Sequence, residues 1–296
     1  MIPKTCINLS DQRSFNMPMI GLGTYSMTGD DCKEAIRTAI DLGYRMFDTA
    51  VAYGNEANVG EAISEKMREC NNLTRDDFFI ISKLSGSYHR MGLVEKCCQM
   101  TVDRLGLNYV DLYMMHSPVA LMSEEECLGK GSKPTAVDDT IDPMEAWEGL
   151  EKCYQDGLCR SIGVSNFNEN QMNVLISKAA ILPVVNQIEC SIGFNQKLLR
   201  QFCHQNNITV MGYAPLGKQK LPFLKNDRLQ QIANSFGKTS AQVSLRYLID
   251  KGVVPIVKSA NCTRQQENLD IFNFKLSTQQ LDELDAITGD QRACKM

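Results

Sequence analysis

Three ionisable side chains stand at the ends of apolar segments, where an unpaired charge is costly. Asp48 ends the segment MFD, Lys83 ends FFIISK, and His116 directly follows LYMM. Tyr53 comes five residues after Asp48. An aspartate and a lysine at neighbouring strand ends can pair, which offsets burial when the geometry is good. With a tyrosine and a histidine nearby, we expect acid–base chemistry here.

Any one of these polar residues is explained more simply by its place at a strand end, where the strand meets water. The pattern recurs, however, at the same end of later apolar segments. These further polar positions are Ser165 with Asn166, Asn186 with Gln187, Tyr213, and Lys258 with Ser259. The recurrence favours a common site over independent strand ends.

Eight short apolar segments alternate with helical patterns along the chain. Apolar runs without alternation are typical of parallel strands that are buried on both faces. Eight strand–helix units favour a closed (β/α)8 barrel, in which active sites form at the carboxyl ends of the strands. The predicted strands span residues 19–23, 46–49, 78–83, 110–115, 160–164, 184–188, 208–213 and 253–257. We expect one domain over residues 1–296.

The helical patterns carry recognisable ends. In residues 31–42 the N-cap is predicted to be Asp30 or Asp31, and Gly43 the C-cap. Pro143 begins a helix that ends at residue 155. Residues 6–17 hold two short pieces that predict a hairpin closing the barrel floor, and residues 117–142 form the longest loop. Extra helices are expected after strand seven and at the C-terminus.

The composition excludes several classes of protein. The 296 residues are 43% hydrophobic and 22% charged, with 31 basic against 35 acidic residues, as in ordinary globular domains. The chain has no dense run of basic residues of the kind that is typical of nucleic-acid binders. It also has no apolar run long enough to span a bilayer. The 12 cysteines have irregular spacing and no C-x-x-C, which favours reduced packing residues over disulfides or zinc ligands. We expect a cytoplasmic protein, monomeric, without a metal.

Six motifs in order resemble those of the aldo-keto reductase family, over residues 18–285. They occupy residues 21–25 (GLGTY), 43–60 (GYRMFDTA through YGNE to Gly60), 163–167 (GVSNF), 186–189 (NQIE), 213–217 (YAPLG) and 258–268 (KS through Arg264 to Glu267 and Asn268). The family fold is a (β/α)8 barrel with an N-terminal hairpin, which the strand pattern indicates independently.

The resemblance implies that Asp48, Tyr53, Lys83 and His116 form a catalytic tetrad. In this hypothesis Tyr53 is the general acid of an NADPH-dependent carbonyl reduction, an oxidoreductase of the kind that acts on CH–OH groups. A free tyrosine has a pKa of about 10, and the Lys83 ammonium is expected to lower it. Asp48 holds Lys83, and His116 polarises the carbonyl oxygen.

The resemblance also implies an NADPH site. Ser165, Asn166 and Gln187 are expected to bond the carboxamide, beside Asp48, and Tyr213 to stack on the nicotinamide. Other predicted cofactor residues are Thr24 and Tyr25 near the catalytic end, Leu216 near the pyrophosphate, Lys258, Ser259, Asn261 and Arg264 around a 2′-phosphate, and Glu267 and Asn268 at the adenine. A lysine and an arginine together favour NADPH over NADH.

The expected partner is a small carbonyl substrate. Its predicted contacts are Tyr25, Tyr53, Ser85, His116 and Ser117. Many family members carry tryptophan where this chain has Ser85 and Ser117, so we expect a wider and more polar pocket. This favours, as one alternative, a steroid-type reductase such as an ecdysteroid 3-ketone reductase. The other alternative is a non-catalytic NADPH-binding member of the family.

Overall fold

A closed barrel of eight parallel strands forms the centre of the computed structural model. The structure describes residues 2–8, 14–122, 136–219, 221–287, 289 and 292–294. The barrel strands are β3 (Gly21–Gly23), β4 (Met46–Asp48), β5 (Phe79–Leu84), β6 (Leu112–Met115), β7 (Ile162–Ser165), β8 (Val185–Glu189), β9 (Thr209–Tyr213) and β10 (Val253–Val257). β10 closes the ring by pairing with both β9 and β3. The predicted (β/α)8 barrel is confirmed.

Helices surround the barrel, in the order that the sequence pattern predicted. They are α1 (Gly29–Leu42), α2 (Glu56–Glu69), α3 (Leu93–Leu105), α4 (Pro143–Gln155), α5 (Glu169–Lys178), α6 (Lys197–Gln205), α7 (Asp227–Ser235), α8 (Ser240–Asp250), α9 (Cys262–Leu269) and α10 (Thr278–Asp285). Short 3-10 turns lie at Val51–Tyr53, Arg75–Asp77, Gly86–Tyr88, Gly217–Gln219 and Pro222–Lys225. No helix among the described residues has the length and apolarity needed to cross a membrane.

The predicted N-cap of α1 is wrong, although its C-cap is confirmed. Thr28 has the extended backbone of an N-cap, and the helix begins at Gly29. Asp30 and Asp31 lie inside the first turn, where carboxylates interact favourably with the helix dipole. Gly43 ends the helix with a φ of 106°, a left-handed conformation that favours glycine.

An antiparallel hairpin closes the amino-terminal end of the barrel. Its strands are β1 (Lys4–Asn8) and β2 (Ser14–Pro18), and residues 9–13 between them lie outside the described residues. Met17 is fully buried among the inward-facing side chains of the barrel strands. Phe15 stacks on Phe79 at a ring-centroid distance of 5.6 Å. The hairpin therefore seals the floor, as predicted.

Successive side chains of a strand point alternately into the barrel interior and towards the surrounding helices, so the protein has two apolar cores. In β5, Phe79 and Ile81 face the barrel interior, whereas Ile80 and Leu84 face the helices. Lys83 continues the inward series of β5, so its charge comes at the last inward position of the strand. Along β5 the inward-facing side chains are thus apolar towards the floor, and the charge comes at the carboxyl end.

The cysteines that the structure describes are free thiols, and most of them are buried among apolar side chains. Cys97 and Cys98 lie on α3, and Cys153 faces them from α4. This placement agrees with the predicted packing role.

Candidate active site

A buried ion pair lies at the carboxyl ends of β4 and β5. Lys83 Nζ is 2.6 Å from Asp48 Oδ1, and the two residues are 0% and 3% exposed. Paired strands bring them together, because β4 and β5 are neighbours in the barrel. Burial lowers the pKa of Lys83, and the charge of Asp48 opposes that fall. Each residue of the pair compensates the buried charge of the other, which would be unpaired if its partner were absent.

Each partner of the ion pair has a second hydrogen bond. Lys83 Nζ donates to the carbonyl oxygen of Thr49 at 2.9 Å. The second oxygen of Asp48 accepts from Gln187 Nε2 at 2.7 Å. Gln187 lies on β8, so this contact crosses the barrel interior. Lysine and aspartate are therefore held in one orientation by opposite sides of the barrel.

Tyr53 lies beside this pair, at the end of a 3-10 turn that Gly54 terminates with a φ of 66°. Its hydroxyl is 3.5 Å from Lys83 Nζ. Its ring packs edge-on between Tyr25 and His116, at centroid distances of 5.2 and 5.6 Å. The four predicted tetrad residues thus meet at one point above the barrel interior.

The predicted lowering of the Tyr53 pKa is wrong for this structure. Burial raises the pKa of the phenol well above its usual 10, and the charges of Asp48 and Tyr25 add to the rise. The physical reason is that the Lys83 ammonium, paired with Asp48 at 2.6 Å and 3.5 Å from the phenol oxygen, does not offset the cost of desolvating a phenolate. Tyr53 is consequently protonated, which is the state that a proton donor requires.

His116 is held neutral. Burial, with a smaller contribution from the charge of Lys83, lowers the pKa of its imidazole to about 3. A neutral imidazole has one N–H to donate and one nitrogen that accepts. Next to Tyr53, it is suited to bond an oxygen atom without adding a charge.

A second group of predicted residues forms a continuous network beside the tetrad. Asn166 takes a left-handed backbone, with a φ of 65°. Its amide donates to the carbonyl of His116 at 2.9 Å and accepts from the Tyr213 hydroxyl at 2.8 Å. Ser165 donates to the carbonyl of Gln187 at 2.7 Å. The structure therefore brings these four predicted cofactor residues to the tetrad.

The predicted adenosine end lies at the start of α9. Lys258 and Arg264 are exposed, and no carboxylate among the described residues pairs with either. Asn261 caps α9 by accepting from the backbone N–H of Arg264 at 2.9 Å, and Ser259 accepts from the N–H of Asn261 at 3.2 Å. Two exposed, unpaired cations at a helix N-terminus suit a phosphate group.

The remaining predicted positions fall into two classes. Thr24 and Asn268 are 0% and 4% exposed; Thr24 donates to the carbonyl of Asp48 at 2.9 Å, so it braces the site from within. Tyr25, Leu216, Ser85, Ser117 and Glu267 each keep some exposed surface. Residues 123–135 of the predicted long loop lie outside the described residues.

Sequence reasoning missed the residues that bring the C-terminus to the site. Glu189, 2% exposed, accepts from the backbone N–H groups of Ala293 at 2.5 Å and Cys294 at 3.1 Å. The charge of Cys294 makes a small further contribution to the raised pKa of Tyr53. Lys218 places its ammonium 5.0 Å from the centroid of the Tyr25 ring. Glu189 stood in the NQIE motif, but nothing local marked a partner about a hundred residues away.

Among the described residues, no group of three histidine, cysteine, aspartate or glutamate side chains could hold a metal ion. The groups present at the site are a protonated phenol, a neutral imidazole and an ion-paired lysine and aspartate.

A family model described as the Aldo/keto reductase family matches residues 19–288. This chain belongs to the aldo-keto reductase family. Aldo-keto reductase family 1 member A1-A of Danio rerio is 37% identical over 93% of this chain and 88% of that protein. Aldose reductase B of Dictyostelium discoideum is 36% identical, with 99% and 95% covered.

Solved aldo-keto reductases share the fold. A Bombyx mori aldo-keto reductase in complex with NADP is 33% identical, with a TM-score of 0.89 over 100% of this chain and 96% of that one. The aldose reductase of Schistosoma japonicum is 33% identical, with a TM-score of 0.88 and coverages of 97% and 93%. The resemblance drawn from the six motifs is confirmed.

We predict that His116 in this aldo-keto reductase stays neutral between pH 8 and 5. Because its pKa in the folded protein is about 3 and about 6.5 in an unfolded chain, the folded protein takes up the proton only in strong acid. Because the unfolded chain takes up this proton more readily than the folded protein, the free energy of unfolding decreases as pH falls below the pKa of the imidazole in the unfolded chain.

The measurement is a nuclear magnetic resonance titration of the imidazole signals, with His116→Gln identifying the relevant one. A midpoint near the unperturbed value for that signal would show that the ring is not desolvated as described.

Proposed function

We propose that this chain reduces an aldehyde or ketone to an alcohol, with NADPH as the hydride donor and Tyr53 as the general acid. One observation carries the proposal: a protonated, partly buried phenol lies 3.5 Å from a lysine that is itself ion-paired at 2.6 Å. The family membership supports it, and so does the name of the Bombyx mori neighbour, which was solved with NADP.

The residues at the barrel end suit the cofactor. Lys258 and Arg264 offer two exposed cations for a 2′-phosphate, and Ser259 and Asn261 lie between them in the chain. Ser165, Asn166, Gln187 and Tyr213 would hold the nicotinamide end near the tetrad. When bound, NADPH supplies a hydride for the carbonyl carbon.

Side chains of this protein donate the proton to the carbonyl oxygen and stabilise the negative charge that develops on it. Tyr53 gives its proton to the carbonyl oxygen while that oxygen becomes an alkoxide. The resulting phenolate lies next to the Lys83 ammonium, which stabilises it, and Tyr53 then regains a proton from water. His116 donates its N–H to the same carbonyl oxygen, which polarises the carbonyl without adding a positive charge.

Asp48 serves by keeping Lys83 charged and fixed. Its second oxygen, bonded to Gln187, ties this pair to the residues proposed to hold the carboxamide. One hydrogen-bonded network therefore orients the acid and the hydride donor relative to each other.

Two alternatives remain tied to specific features. Ser85 and Ser117, where many relatives carry tryptophan, are half-buried and small, which favours a bulky substrate such as a steroid ketone. A non-catalytic NADPH-binding protein is the other alternative, and the complete tetrad favours an enzyme over it.

We also propose that the chain works as one domain, as a monomer and in the cytoplasm. The pairing of β10 with β3 supports one domain, because it joins the two ends of the barrel sequence. The free thiols support a reducing compartment.

The experiment is to follow NADPH oxidation with a panel of aldehydes, ketones and steroid ketones. Turnover of at least one carbonyl is expected, and preference within the panel separates the steroid alternative. Tight NADPH binding without turnover of any carbonyl would contradict the proposal and favour the binding protein.

For the acid, we predict that Tyr53→Phe lowers kcat at least about a hundredfold, as expected for loss of general acid catalysis. NADPH affinity, measured by fluorescence titration, should stay nearly unchanged, because only one hydroxyl is removed. Tyr109→Phe is the matched control, since its hydroxyl bonds Asp76 at 3.0 Å, away from the tetrad. Equal losses of turnover and cofactor binding would argue against the assigned role.

For the cofactor, we predict that Lys258→Ala weakens NADPH about tenfold and NADH much less, because a charge-assisted bond to phosphate contributes roughly 1.5–3 kcal/mol. Binding titrations with both dinucleotides measure the difference. Lys275→Ala, which also removes an exposed lysine, should change neither affinity. An equal loss for both dinucleotides with Lys258→Ala would rule out the 2′-phosphate contact.

A further inference from the structure

Two polar residues open helix α2 immediately after the turn that carries Tyr53. Asn55 is 0% exposed and Glu56 is 2% exposed. Polar side chains at such depth are costly unless each polar atom finds a partner. Both belong to the YGNE motif, but the proposed reaction assigns them no task.

Asn55 joins the ends of two barrel strands. Its side-chain amide donates to the carbonyls of Thr24 and Met27, both at 2.9 Å, in the segment that follows β3. Its oxygen accepts from the hydroxyl of Thr49 at 2.6 Å, directly after β4. The segment that holds Tyr25 and the residue following Asp48 are thus fastened to the residue two positions after Tyr53.

Glu56 fastens the same helix start to β5. One oxygen accepts from the Ser82 hydroxyl at 2.6 Å, and the other accepts from Arg104 at 2.9 Å. Ser82 precedes Lys83 and points away from the barrel interior, because side chains alternate along a strand. Glu56 therefore holds β5 from behind, at the residue next to the catalytic lysine.

Helices α2 and α3 pack closely beside the contacts of Glu56. A Cβ atom on Gly60 of α2 would lie 1.8 Å from the carbonyl oxygen of Leu105, at the end of α3. Arg104, the partner of Glu56, is the residue before Leu105. The two helices are therefore in backbone contact beside the Glu56–Arg104 ion pair.

Tyr53 itself is poorly restrained by its own hydroxyl. Among the described residues, the hydroxyl has one polar contact, with Lys83 Nζ at 3.5 Å, which is the outer limit of a hydrogen bond. The position of the phenol then depends on its backbone turn and on the packing of its ring against Tyr25 and His116. Asn55 and Glu56 anchor the end of that turn.

We propose that Asn55 and Glu56 are positioning residues that set the distance between the Tyr53 hydroxyl and the Lys83 ammonium. Neither touches the substrate; they act through Tyr53 and Lys83. This inference rests on the proposed carbonyl reduction, for which Tyr53 is the acid.

The test compares Glu56→Gln with Glu65→Gln in the full-length protein. Both changes neutralise a glutamate on α2 that pairs with an arginine, but Glu65 is far more exposed and bonds Arg37 at 2.9 Å. Because small displacements of reacting groups can cost about a hundredfold in rate, Glu56→Gln should lower kcat roughly ten- to a hundredfold. Glu65→Gln should leave kcat unchanged.

Two readouts separate positioning from a loss of structure. NADPH affinity should stay within about twofold in Glu56→Gln, since the proposed cofactor contacts lie on other strands; only the chemical step is slowed. NADPH deuterated at the transferred position should then give a larger isotope effect on kcat than in the wild type, because chemistry becomes rate-limiting.

Ser82→Ala and Thr49→Val keep the test decisive if Glu56→Gln does not fold. Each removes one hydroxyl donor, to Glu56 and to Asn55 respectively, and should give the same isotope signature with a smaller loss of kcat.

Folded variants with the kcat and isotope effect of the wild type would overturn the positioning role, while wild-type turnover leaves the proposed function standing. Parallel losses of kcat and NADPH affinity without a change in isotope effect would also overturn it. A wild-type protein without any turnover would instead overturn the proposed function.

Discussion

The buried ion pair of Asp48 and Lys83 is the interaction on which the candidate site depends. Removing two charges from water costs several kcal/mol per ion, and the cost is offset only by close geometry and additional hydrogen bonds. Here the separation is 2.6 Å, and Thr49 and Gln187 supply the further bonds. Loss of either partner would leave an uncompensated charge inside the barrel, so the pair constrains β4, β5 and β8 together.

The barrel makes this pair possible by dividing its interior. Bulky apolar side chains such as Met17 and Phe79 fill the floor beneath the hairpin, and the charged residues occupy the last inward positions of the strands. The same desolvation that strengthens the ion pair raises the pKa of Tyr53 and lowers the pKa of His116, so it favours the neutral form of each. At Lys83 desolvation acts in the opposite sense to the charge of Asp48, which favours the protonated ammonium.

Much of the fold could be predicted from the sequence, because the strands and helices are set by local patterns. Helix α4 begins at Pro143 and ends at Gln155 as expected, and the strands shift by only one or two residues. For instance, β6 begins at Leu112 rather than at residue 110, where Val110 makes an isolated bridge with Cys159. The N-cap of α1 was misjudged since Thr28 and Asp30 are both acceptable caps in sequence.

The sequence was enough to predict which residues form the site, but it was not enough to predict their pKa values. Ionisable residues at the ends of apolar runs marked Asp48, Lys83 and His116, and the motif over residues 43–60 supplied Tyr53. The pKa of Tyr53 is raised mainly by burial of the phenol and secondly by the charge of Asp48, and both depend on tertiary packing that no spacing encodes. The contact of Glu189 with Ala293 and Cys294, and the bonds of Asn55 and Glu56 to three strands, arise from tertiary packing alone.

The central claim is that Asp48 and Lys83 act as one unit in support of Tyr53. A double-mutant cycle with Asp48→Asn, Lys83→Met and the double variant tests it most directly, with kcat measured on one good carbonyl substrate. Residues that act as a unit are strongly non-additive. The double variant is therefore predicted to lose no more kcat than the more impaired single variant, and losses that multiply would contradict the account.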